Sequence, residues 1–143
     1  MLVALLGLLV LAAIPACGRG VDPVQAALSR LEDAAEKRDA EGISAELSED
    51  FQAANGEARA ELTAGLRRIL AGYDSVSVRV SNVVTERGTG LAHVTFRAAL
   101  SGKPRALGGM EAFLETAAAY RFDLRMVERE GRYRITKAAW ERE

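Results

Sequence analysis

The chain has 143 residues, with 19 Lys and Arg against 20 Asp and Glu and a formal net charge of -1. Acidic residues alternate with basic ones along its length, so the clustered cationic excess that a phosphate backbone demands is missing and no nucleic-acid partner is expected. One cysteine and one histidine leave no intrachain disulfide and too few soft ligands for a metal centre; no metal or other cofactor is expected.

The first element is an uncharged apolar run from Leu2 to Ala16, ending on Cys17 and followed by Gly18, Arg19 and Gly20. Its length of about fifteen residues suits a signal-peptide core and falls short of the roughly twenty that span a bilayer. Ile14, Pro15, Ala16 and Cys17 resemble a bacterial lipobox, which implies cleavage before Cys17 and lipidation of that residue. The expected organisation is a lipoprotein signal peptide over 1–16, a lipidated N-terminus and short linker over 17–22, and one domain over 23–143. The membrane partner is then the lipid anchor on Cys17. Gly18 stands where an aspartate would retain a lipoprotein in the inner membrane, so the expected location is the cell envelope, at the outer membrane facing the periplasm in a Gram-negative host.

Asp22, Pro23, Val24 and Gln25 read as a helix start, with a capping side chain and a proline in the first turn. The helix is predicted to run to about Arg38, with Val24, Ala27, Leu28, Leu31 and Ala35 on one apolar stripe. A short segment with Ile43 and Leu47 four apart closes at Ser48 to Phe51, and a third helix is predicted from about Asn55 to Ala71, stopped at Gly72. From Tyr73 the period changes to two: Val76, Val78 and Val80 alternate with Ser77 and Arg79. Val83 and Val84 break that alternation and predict a bulge, and Glu86 to Gly90 supplies a hairpin turn. Leu91 to Leu100 is a second strand, Ser101 to Met110 a loop, Tyr120 to Met126 a third strand, and Tyr133 to Trp140 the last, after a turn at Glu130 and Gly131.

Helices first and a meander afterwards predicts an α+β fold, with N-terminal helices packed on the concave face of a curved antiparallel sheet. Glu36 to Asp39 at the end of the first helix, the Leu47 to Phe51 segment, and Glu130 to Ile135 with Trp140 resemble the nuclear transport factor 2-like (SnoaL-like) superfamily, especially its small bacterial lipoproteins of unknown function. The resemblance implies a cone enclosing a pocket between helices and sheet. It does not fix an activity, because the superfamily holds ketosteroid isomerases and SnoaL-like cyclases alongside non-enzymes.

Strand parity identifies the expected pocket wall: Val78, Val94, Phe96, Tyr120, Phe122, Leu124 and Met126, with Trp140 on the last strand. These residues are apolar but for the Tyr120 hydroxyl and the indole nitrogen, so no catalytic residue is assigned and a small hydrophobic ligand is the expected occupant. An isomerase would need an acid or base inside. His93 and Asp123 have the opposite parity, and Asp50 lies near the mouth-closing segment. Arg79, Arg97, Arg121 and Arg125 should project from the outer face, a solvated surface that the resemblance also implies as a homodimer contact. The sequence reading is therefore a non-catalytic module for ligand binding or protein interaction. An isomerase or lyase, and a dimerising accessory subunit of an envelope complex, stay open as alternatives.

Overall fold

The computed structural model describes Gly20 and residues 22–106 and 115–143. Residues 1–16, expected to be a signal peptide, and Cys17 lie outside the described residues.

Asp22 caps the first helix, α1 (Pro23–Glu36): its Oδ1 accepts from the Val24 amide at 3.1 Å, and Pro23 occupies the first turn. Val24, Ala27, Leu28 and Ala34 form its buried stripe. The chain leaves α1 at Arg38, whose φ of 57° turns the backbone sharply. Asp39 then caps α2 (Ala40–Ser44) by accepting from the Gly42 amide at 2.9 Å.

The segment after α2 differs from the sequence expectation. Leu47–Ala53 is a strand, β1, pairing parallel with the last strand of the chain. Leu47 and Phe51 lie four apart, as on a helix face, yet both are buried from an edge strand whose pairing register shifts between Leu47 and Gln52. Next, the Asn55 side chain accepts from the Glu57 amide at 3.0 Å and makes a turn, so α3 begins later than expected, at Arg59, and ends at Leu70.

β2 (Tyr73–Gly88), β3 (Leu91–Pro104), β4 (Ala117–Arg129) and β5 (Arg132–Arg142) form an antiparallel meander, and the five strands lie in the order β1-β5-β4-β3-β2. The sheet is therefore mixed, antiparallel except at the β1 edge. The predicted bulge is present: register shifts between Ser81 and Val84, with Asn82 at φ 55°. Its effect is to bring Thr85 opposite Val94 and to put Val84 opposite Thr95. One face of the meander carries Ala92, Val94, Phe96, Ala98, Leu124, Met126 and Ile135, all buried in one cluster with Val24, Ala27 and Leu28 of α1. Fully burying a side chain such as Leu28, Ile135 or Met126 contributes about 1.5–3 kcal/mol, so this helix-to-sheet seam stabilises the fold substantially.

Candidate functional site

An aromatic ladder crosses the concave face. Phe96 and Phe122 are paired across β3 and β4, and their rings stack at 5.2 Å with planes 13° apart. Phe122 pairs in turn with Trp140 across β4 and β5, ring centroids 6.5 Å apart, and Tyr120 lies 6.2 Å from Phe122. Offset and tilted aromatic pairs at these distances each add about 0.5–1.5 kcal/mol beyond area burial.

Burial falls steeply along this wall. Val94, Leu124, Met126 and Phe96 are packed core and face no open space. Val78, Tyr120 and Phe122 are half-buried, and Trp140 is 38% exposed although it shares the concave parity of Phe122. The eight residues expected to line a pocket thus divide into four that fill the cone and four on its open part.

A cleft of about 160 Å³ lies between the C-terminal end of α3 and the strands, lined by Ile69, Leu70, Tyr73, Val76, Leu100, Gly102, Ala118 and Tyr120 among others. Gly102 makes room for it: a Cβ there would stand 2.6 Å from Tyr73 Cδ1. The Tyr73 hydroxyl donates to the Glu115 carbonyl at 2.7 Å, and Arg38 donates to the Tyr73 carbonyl at 2.7 Å, so the ring is fixed at both ends. The Glu115 carboxylate at the rim is bonded to Arg142, which raises that guanidinium further above its ordinary value. An apolar cavity of about 150 Å³ admits a single benzene ring, so the cleft suits one ring or a short aliphatic group. Of the expected wall residues only Tyr120 lines it. Tyr73 was legible in sequence only as the place where the period changes, and Ile69 and Leu70 only as the last apolar residues of a helix.

The acid–base candidates lie elsewhere. His93 Nε2 is 2.8 Å from Asp123 Oδ1, and His93 Nδ1 is 3.6 Å from a Glu86 carboxylate oxygen. Register places this cluster on the outer face, because His93 stands opposite Arg125 and Glu86, and Asp123 opposite Thr95. Asp50 is exposed on β1 and does not line this cleft. Among the described residues, no group of three His, Cys, Asp or Glu comes together to hold a metal ion.

Two further polar clusters escaped the sequence reading. Glu46, 2% exposed, accepts from Arg30 Nε at 2.7 Å and Nη2 at 3.0 Å and from Arg132 at 2.6 Å. Its partners are 16 and 86 residues away, so no local signal marks it. On the outer face Glu143 takes Arg97 at 2.5 Å and Arg121 at 3.6 Å, so one carboxylate is shared by two of the four arginines expected to project there.

No family model matches the chain, and no curated protein sequence matches it. Solved structures do. A provisional scytalone dehydratase from Novosphingobium aromaticivorans superposes with a TM-score of 0.72 at 12% identity, covering 85% of this chain and 82% of that one. A hexachlorocyclohexane dehydrochlorinase gives 0.67 at 12% identity over 84% and 82%. A protein of unknown function from Pseudomonas putida, described as NTF2-like, gives 0.64 at 15% identity over 82% of each chain. At these identities the likeness is one of fold: the chain has the nuclear transport factor 2-like cone, an α+β arrangement.

Proposed function

We propose that this chain, built on the nuclear transport factor 2-like fold, is a lipid-anchored envelope protein whose domain holds a small hydrophobic ligand without transforming it. The observation that carries the reading is the concave aromatic wall, which opens from sealed core at Phe96 to exposed surface at Trp140 beside an apolar cleft. A site of this kind binds through apolar contact, with the Tyr73 and Tyr120 hydroxyls at its edge to orient a polar substituent. Anchoring rests on the Ile14 to Cys17 motif, and with it the envelope location, outer-membrane and periplasm-facing in a Gram-negative host.

The rival reading is an isomerase or lyase, and the fold's occurrence in a dehydrochlorinase supports considering it. Against it weighs the position of His93, whose carboxylate partners are on the far side of the sheet from the aromatic wall. Proton abstraction needs a base within reach of the bound molecule.

Trp140 is the only tryptophan, so its fluorescence reports occupancy of the wall. Titration with p-cresol should give a saturable change, and Tyr120→Ala, which removes the wall residue that lines the cleft, should abolish it. A flat titration, or turnover of an enolisable ketone that falls with a concave-face substitution, overturns the binding reading. For anchoring, Cys17→Ser in cells should release the protein from membranes or stall its processing; a mature form found soluble with an unmodified Cys17 overturns the lipid anchor.

A further inference from the structure

A second concavity lies on the opposite face, larger than the cleft at Tyr73. A basin of about 440 Å³ is lined by Asp123, Arg125, Lys137, Ala139 and Gln52, with the turn through Gly56 forming one side. Arg125 and Lys137 stand directly opposite each other across the antiparallel β4 and β5 strands, where like charges repel. Among the described residues no carboxylate pairs with either, in contrast to Arg97 and Arg121 on the same face. Asp123, the acidic group at the basin, is already bonded to His93. The space itself comes from a small residue: Ala139 opposite Asp123 leaves the floor unfilled.

We propose that this basin is a binding site for a small carboxylate monoanion, its carboxyl group held between the Arg125 guanidinium and the Lys137 ammonium. Two cations against one aspartate give the basin a local charge of one positive unit, which a monoanion neutralises and a phosphate dianion overshoots beside Asp123. The volume falls in the range of small-molecule sites, roughly 300–1,000 Å³. Gln52 supplies an amide donor to the same space, and Asp123 an acceptor for a hydroxyl on the ligand. The site is separate from the concave wall and stands or falls independently of what that wall binds.

The test uses lactate as probe, followed by backbone amide shifts of the domain at low ionic strength. Lactate should give saturable shifts at Gln52, Arg125 and Lys137, with affinity falling about tenfold in Lys137→Gln and vanishing in the Arg125→Gln, Lys137→Gln double variant. Removing a repelling charge should leave the thermal midpoint of Lys137→Gln unchanged or higher, so lost binding there is not lost folding. Absence of saturable shifts, or equal shifts in the double variant, overturns the proposal. Tighter binding of inorganic phosphate than of lactate overturns the monoanion assignment. A glutamate-rich peptide that binds where lactate does not overturns the small-molecule assignment.

Discussion

Arg30 on α1 grips Glu46 at two points, 2.7 and 3.0 Å, and so ties the first helix to the chain entering β1. Arg132 at the start of β5 binds the same carboxylate, which joins three elements through one buried side chain.

Glu46→Gln should therefore destabilise the fold by about 2 kcal/mol. Removing one member of a fully buried ion pair costs about 3–5 kcal/mol, and the two arginines here keep part of their hydration. Urea unfolding should show a lower midpoint with an unchanged slope; an unchanged midpoint would mean the triad contributes nothing net.

Met126→Ala should cost about 2–5 kcal/mol, since Met126 is among the largest fully buried side chains and its loss leaves a cavity against α1. Ile69→Ala, at an exposed position of α3, should stay within about 0.5 kcal/mol of the parent. Thermal melts of the two variants compare sealed core with open cone directly.

Gly102→Ala probes the cleft. The added methyl meets the rigid Tyr73 ring rather than a flexible chain end, so the ring must move and its hydroxyl must leave the Glu115 carbonyl. Overpacking of this sort costs about 1–3 kcal/mol. Retention of the parent melting temperature together with parent p-cresol binding would show that Tyr73 does not shape the site.

Glu32 on α1 has its carboxyl pushed above the ordinary range, first by burial and then by Glu36 and Asp33. A raised carboxylate makes its favourable contribution below its unfolded value and loses it as pH rises through the folded value. Glu32→Gln should thus be more stable than the parent at pH 7, by a few tenths of a kcal/mol, with the gap closing below about pH 4. Paired urea titrations at the two pH values measure it; a gap that grows at low pH has the wrong sign.

Alternation made the β3 and β4 faces legible from sequence, because Val94, Phe96, Leu124 and Met126 answer to a period of two that only a strand uses. The same logic failed for β1. Glu49 and Asp50 are poor strand formers, and an edge strand with a shifted register shows no clean alternation. The start of α3 was misplaced because Ala58 offers no capping side chain while Asn55, a good cap in isolation, bonds its own turn. The open cleft and the Glu46 triad depend on residues far apart in the chain, which local patterning does not connect. Strand parity placed His93 and Asp123 on one face, but their contact required the β3–β4 register.

The ion pair between Asp22 and Arg87 fastens the front of α1 beside the far end of β2, while the cleft opens at Tyr73, where that strand begins. Thirteen residues of strand lie between Tyr73 and Arg87, a span of roughly 46 Å at 3.3 Å per residue. Only four residues lie between Cys17 and Asp22, a leash of under about 18 Å. A domain tethered at Cys17 would stand with its hairpin turns toward the lipid and its aromatic mouth turned away, so a ligand would be collected from the aqueous compartment rather than drawn out of the bilayer beneath.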